Sequence, residues 1–186
     1  MATTIWLVRH GATEWSQNGR HTGSTDLPLL PEGRERATAV APVLAANAFA
    51  LVLTSPLQRA RETAALAGFA HAEVDTDLLE WDYGDYEGVT TPTIRETDPG
   101  WSIWDGAVPG GESADHVAAR VARVIARADA ADGDVLLFAH KLISPELVAR
   151  MKTWKHSGFN VHSGRSVPPE NRAEREQLCA NQVSFP

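Results

Sequence analysis

The sequence predicts a three-layer α/β/α sandwich on a mostly parallel sheet, and three short apolar runs carry that prediction. Ile5-Trp6-Leu7-Val8, Leu51-Val52-Leu53 and Val135-Leu136-Leu137-Phe138 have the length and composition of buried strands. Helical patterns fill the intervals, so strand, helix, strand, helix and strand alternate along the chain.

The first strand ends on Arg9-His10-Gly11. Ligands of open parallel sheets sit just outside the carboxyl ends of the strands, so this ending puts a cation and an imidazole where a substrate would lie. Gly11 there allows a sharp backbone turn. Next, Gly33 to Ala46 is rich in Ala and Arg and predicts a helix, which Pro42 must kink or break. The second strand runs through Thr54-Ser55 into Pro56, a residue suited to opening a helix. Arg59 then falls in the first helical turn, where unpaired N–H groups and the helix dipole also favour an anion. Trp101 and Trp104 flank an acidic stretch before Pro109 that reads either as a substrate lid or as packing of a long loop. Ser113 is placed to cap a helix running to about Ala130, with Val117, Val121, Val124, Ile125 and Ala128 on one face. The third strand ends on His140. Any one of these endings is commonplace; three that bring groups able to hold phosphate to one sheet edge point to a site.

Composition is that of a soluble enzyme. At 186 residues and 20.1 kDa the chain is long enough for one domain with a substantial core. A net charge of −7 and a pI near 5.4 argue against nucleic acid as a partner. The N-terminal apolar run is too short, and lacks the basic start, for a signal peptide, and no segment is long enough to span a bilayer. The lone Cys179 has neither a disulfide partner nor metal-ligand spacing. The expectation is a cytoplasmic protein with no cofactor, no metal and no membrane partner.

Six segments occur in a telling order: Arg9-His10-Gly11; Thr13-Glu14-Trp15-Ser16; Gly19 to Leu29; Thr54-Ser55-Pro56-Leu57-Gln58-Arg59-Ala60; Leu79 to Gly88; and Pro109-Gly110-Gly111-Glu112-Ser113, before Phe138-Ala139-His140. Through them residues 1–140 resemble the histidine phosphatase superfamily, with its phosphoglycerate-mutase-like fold. The resemblance implies that His10 is the nucleophile and becomes a phosphohistidine. It places Arg9, Arg59 and His140 around the phosphoryl group and makes Glu80 the proton donor. It also implies substrate contacts from Gly11, Ser16, Thr22, Gly23 and Tyr83. The chemistry is coherent: a neutral imidazole is a good nucleophile near pH 7. Two guanidiniums and a protonated imidazole supply the positive charge that a transferring phosphoryl group needs. A sugar alkoxide leaves poorly unless protonated, and Glu80 would need a raised pKa for that task; the competing reading of Glu80 is a solvated turn residue.

After His140 the motif resemblance stops, and Lys141-Leu142-Ile143-Ser144-Pro145-Glu146 follows in place of a glycine. All three lysines lie after position 140 and all eleven aspartates before it. Formal charge changes from −10 (10 Lys+Arg against 20 Asp+Glu) over residues 1–140 to +3 (7 against 4) over residues 141–186. The expected organisation is thus a histidine phosphatase domain, C-terminally incomplete, over 1–140 and an unrelated tail over 141–186. Leu142 to Met151 and Trp154 to Val161 resemble a stretch of rolling-circle-type insertion-sequence transposases; the alternative is a lineage-specific C-terminus. Ser144, Pro145 and Glu146 make a good helix start, predicting a helix at about 145–155 and irregular chain beyond. The sheet edge is then left unprotected, with reduced stability or homodimerisation as the expected result. Lys141 also carries a steric cost if the turn after His140 needs positive φ, and it adds charge at the site mouth.

Three functions compete on these residues. The first is a metal-independent phosphomonoesterase acting on a small sugar phosphate or related phosphorylated metabolite. The second is a phosphoglycerate mutase, disfavoured because Val89 to Val108 has one basic residue, Arg95, against Glu96, Asp98 and Asp105. The third is a truncated chain that binds phosphate with weak or no turnover.

Overall fold

The structure, a computed structural model, describes residues 4–104 and 106–141. Four strands, β1 (Ile5–Arg9), β2 (Leu51–Thr54), β3 (Glu73–Val74) and β4 (Val135–Ala139), form one sheet in the order β1-β4-β2-β3, and every pairing is parallel. The predicted fold class holds. The register matters most for function. Arg9 lies opposite Ala139, and Thr54 lies opposite Phe138, so β1, β4 and β2 end level with one another. His10 N–H donates to the Ala139 carbonyl at 3.1 Å and Ser55 N–H to the Phe138 carbonyl at 2.9 Å, carrying the ladder one step past the strands.

Side chains alternate across the sheet. On one face Trp6, Val8, Leu136 and Phe138 pack under α2 (Pro31–Ala45) and α3 (Gln58–Leu66), which contribute Val40, Leu44 and Ala64. On the other, Ile5, Leu53, Val135 and Leu137 pack under the amphipathic α5 (Ala114–Asp129). All five β4 residues are buried, because β4 is central and covered on both sides. As expected, the Ser113 hydroxyl accepts from His116 N–H at 3.2 Å; Val117, Val121, Val124 and Ala128 are buried and Ile125 partly so. Two short helices, α1 (Glu14–Asn18) and α4 (Thr91–Thr97), sit in the connections.

Several sequence expectations need correction. The helix expected from Gly33 begins at Pro31, where the missing N–H costs nothing, and continues through Pro42 to Ala45 rather than breaking. Pro42 lies within the last turn, and the buried Val40 and Leu44 hold that turn on the sheet. Pro56 does not open α3; it precedes the extended N-cap residue Leu57, although Arg59 does fall in the first turn. The two-residue β3 was not foreseen, being too short for any periodicity. Trp101 is no lid: it is 2% exposed and its indole N–H donates to the Ala107 carbonyl at 2.9 Å, whereas Trp104 is exposed. The tail, with its expected helix at about 145–155, lies outside the described residues. Among the described residues no helix is long and apolar enough to cross a membrane.

Candidate active site

The three level strand ends bring Arg9, His10, Ser55, Arg59 and His140 together. His140 is fully buried, and its Nε2 lies 2.8 Å from Ser55 Oγ. The His10 and His140 rings are 5.1 Å apart, centroid to centroid, and tilted by 56°. His10 Nδ1 is 2.7 Å from the Gly11 carbonyl oxygen. A carbonyl can only accept, so Nδ1 carries the proton in this contact. The Nε2 lone pair is thereby left for chemistry.

Gly11 creates that arrangement through close packing rather than the sharp turn expected of it. Its φ is not left-handed; instead, a Cβ there would meet the Gly33 carbonyl oxygen at 2.4 Å. Gly33 reciprocates, since its own Cβ would meet the Ala12 carbonyl at 2.5 Å. The two glycines let the segment after β1 lie against the start of α2. Gly11 N–H donates to Thr63 Oγ1 at 3.1 Å and its carbonyl takes His10 Nδ1, so its main-chain groups position the His10 ring.

Arg59 is buried and has two jobs. Nη1 donates to the Thr25 carbonyl at 2.9 Å, and Nη2 to those of Gly23 at 2.9 Å and Thr22 at 3.3 Å. The guanidinium thus ties the 22–25 loop to α3. Its Nε, like that of Arg9, is buried with no hydrogen-bond partner among the described residues. A buried unpaired donor costs about 1–3 kcal/mol, a cost removed when an anion accepts the bond. Behind the same loop, Glu87 accepts from Gly23 N–H (2.7 Å), Ser24 N–H (3.0 Å), Thr25 N–H (3.3 Å) and Thr25 Oγ1 (2.6 Å). A Cβ on Gly23 would come within 2.1 Å of the Trp81 carbonyl oxygen. Gly23 therefore sits between Glu87 and Arg59, behind the cavity wall rather than on it.

Glu80 is buried, which excludes the solvated-turn reading. Its Oε1 accepts the Trp81 N–H at 3.0 Å. Its segment is held by Arg120, which is 4% exposed and donates to the carbonyls of Asp77, Leu79 and Glu80 while pairing with Glu112 at 2.9 Å. Tyr83 is buried near Arg9 and Glu80; burial and the Glu80 and Glu87 charges push its phenol far above the ordinary value. His21 stacks on its ring at 4.4 Å.

Two cavities meet at His10 and share Arg9, His10, Ser16 and Lys141 on their walls. One, of about 300 Å³, lies against α2. The other, of about 230 Å³, runs toward Glu80, Thr22 and Tyr83. Ser16 and Thr22 are therefore at the site. Ser16 Oγ already donates to the Thr13 carbonyl and accepts the Thr13 N–H, both at 2.9 Å, closing the capping box of α1. Thr22 Oγ1 donates to the Arg20 carbonyl at 3.2 Å. Glu87, Arg120, Thr63 and Ser55 were missed as positioning residues. Glu87, seven residues after Glu80, and Ser55, four before Arg59, lay inside motifs; Thr63 and Arg120 carried no sequence signal.

Burial, then the Arg9 and Arg59 charges, push the His10 imidazole down to about 3, opposed by its bond to Gly11. His140 is driven well below its ordinary value by burial, then by His10, Arg59 and Arg9. Contrary to the expectation of a protonated imidazole, burial first and the site's charges second favour neutral His140; a bound anion would supply the opposite charge that draws a proton back. Both folded-state pKa values lie below the unfolded value of about 6.5, so the unfolded chain takes up protons that the folded chain refuses. Stability from both groups is full above about pH 6.5 and is lost as pH falls below it, down to about 3 for His10. Melting temperature should fall between pH 7 and pH 4, and inorganic phosphate should reduce the fall. A phosphate-independent profile would contradict the anion site.

The model of the histidine phosphatase superfamily (branch 1) matches residues 5–164, running past the point where the motif resemblance ends. The chain is 41% identical over 150 residues to an acid phosphatase of Mycobacterium tuberculosis, covering 78% of this chain and 74% of that protein. It is 36% identical over 168 residues to the sedoheptulose 1,7-bisphosphatase of Saccharomyces cerevisiae, covering 72% and 62%. The structure of mycobacterial glucosyl-3-phosphoglycerate phosphatase complexed with VO3 superposes with a TM-score of 0.70 at 33% identity, covering 78% and 79% of the two chains.

Proposed function

This chain belongs to the histidine phosphatase superfamily, and we propose that it hydrolyses phosphate monoesters of small sugars or related metabolites through a phosphohistidine at His10. The observation that carries this reading is the fixed tautomer of His10 among Arg9, Arg59 and His140. In the first step the Nε2 lone pair attacks phosphorus, the P–O bond to the leaving alkoxide breaks, and Glu80 passes its proton to that oxygen. In the second, the Glu80 carboxylate takes a proton from water, the hydroxide attacks phosphorus, and the P–N bond breaks to restore Nε2. Charge on the transferring group is met by Arg9 and Arg59, and by His140, which takes up a proton from solvent as the phosphate dianion binds.

Relatives named as phosphatases of phosphorylated sugars support the substrate class. Hydrolysis rather than mutase chemistry is supported by Arg95, the lone basic residue of 89–108, whose Nε is already committed to the Trp101 carbonyl at 2.9 Å. Turnover rather than inert phosphate binding is supported by His140, which keeps its bond to Ser55 with Lys141 following it.

Glu80→Gln tests the proton-transfer role. The variant should lose about a hundredfold or more in kcat on alkyl phosphates and little on nitrophenyl phosphate, whose leaving group departs without a proton. Equal losses on both would remove Glu80 from the role. A parent chain that hydrolyses neither, while phosphate still raises its melting temperature, would favour the inert reading.

A further inference from the structure

The cavity that contains Glu80 is where a leaving group must lie, because the acid that protonates it stands on that wall. Besides Arg9, that wall carries two cations, Arg20 and Lys141, and Glu80 is its sole carboxylate among the described residues. Arg20 and Lys141 are exposed, and neither has an ion-pair partner among the described residues. These cations are not the by-product of a basic surface, since residues 1–140 carry a formal charge of −10 (10 Lys+Arg against 20 Asp+Glu).

The backbone that presents Arg20 is pinned. Gly19 ends α1 at φ +74°, Arg20 N–H donates to the Trp15 carbonyl at 3.1 Å, and Arg20 bridges Thr90 in antiparallel fashion. His21 is locked beside it, with N–H on the Val89 carbonyl (2.9 Å), Nε2 on Thr91 Oγ1 (3.1 Å) and its ring on Tyr83. Lys141 belongs to the same neighbourhood, since its charge lowers the His21 pKa.

We propose that Arg20 and Lys141 form a second anion subsite, and that the substrate carries a second anionic group, phosphate or carboxylate, on its leaving portion. The inference rests on the phosphatase reading and assigns the substrate class that reading leaves open. The subsite is open to water, so it binds the second anion without sealing the phosphohistidine from hydrolysis.

The test measures kcat/KM on two matched pairs: fructose 1,6-bisphosphate against fructose 1-phosphate and fructose 6-phosphate, and 3-phosphoglycerate against glycerol 3-phosphate. The parent chain should prefer the doubly anionic member of one pair by about tenfold or more, and which pair does so identifies phosphate or carboxylate. In the double variant Arg20→Gln/Lys141→Gln that ratio should fall toward one, mainly through KM. Raising salt from 0.05 to about 0.5 M should shrink the parent's ratio as well, an effect that a structural role would not produce. A parent that hydrolyses all members equally, or a ratio untouched by the double variant, overturns the subsite and leaves the phosphatase reading standing. A parent that hydrolyses none overturns both.

Discussion

His10→Ala is expected to abolish phosphoenzyme formation and to lower turnover by about four orders of magnitude or more. The expectation rests on position. His10, the proposed nucleophile, has Nδ1 committed 2.7 Å from the Gly11 carbonyl, which leaves Nε2 to attack. Its depressed pKa of about 3 means that the neutral, nucleophilic form persists well into the acid range. The acid limb of the parent's pH–rate profile should therefore lie far below the ordinary histidine value of about 6.5. Brief exposure of the parent to substrate should leave acid-labile, base-stable phosphate on the protein, and the variant should show none. The variant should still fold. It also removes a group that resists protonation, so its melting temperature should gain on the parent's as pH falls below 6.5. Hydrolysis at the parental rate by a folded His10→Ala would sink the mechanism.

The parts legible in the sequence were those in which one local pattern determines the outcome. An apolar run ending on Arg9-His10, Val-Leu-Leu-Phe ending on His140, and a Ser113-capped stripe of valines each state their own structure. Local patterns were weaker where tertiary contacts decide. Pro42 argues against helix, yet a helix end pressed onto the sheet by Leu44 tolerates the lost hydrogen bond. Gly11 reads as a turn glycine until the Gly33 backbone is found 2.4 Å from where its Cβ would stand, a contact between segments 22 positions apart (33 − 11).

In the site, residue types were legible and their partners were not. Arg9, His10, Arg59, Glu80 and His140 could be named from motifs, but not the fact that Arg59 spends Nη1 and Nη2 on a loop. Arg120 gave no signal at all. It sits on α5 as one more arginine of an amphipathic helix, and only folding reveals that it grips the carbonyls on either side of the Glu80 segment. Protonation was likewise hidden: His140 was expected as a cation on chemical grounds, and its burial, with Arg9 and Arg59 beside it, reverses that.

Arg59→Met should damage stability and activity together, for separable reasons. Methionine fills much of the volume but leaves the carbonyls of Thr22, Gly23 and Thr25 without their donor, and buried acceptors without partners cost about 1–3 kcal/mol apiece before relaxation. It also removes the charge beside Glu87, whose carboxylate then holds the loop amides alone. Melting temperature should drop by several degrees, and the stabilisation by inorganic phosphate should shrink because one guanidinium of the anion site is gone. On nitrophenyl phosphate, KM should rise and kcat should fall, since the lost contact acts on the phosphoryl group in both ground and transition states; a loss of about a thousandfold in kcat/KM is expected. Arg59→Lys should recover part of the charge but little of the geometry, because an ammonium cannot span the three carbonyls and the phosphate together. Glu87→Gln separates the two roles: it loosens the same loop while leaving every cation in place. Rate losses of equal size in Arg59→Met and Glu87→Gln would reduce Arg59 to a strut for the 22–25 loop. A loss confined to Arg59→Met, with phosphate stabilisation intact in Glu87→Gln, would place its guanidinium on the transferring group.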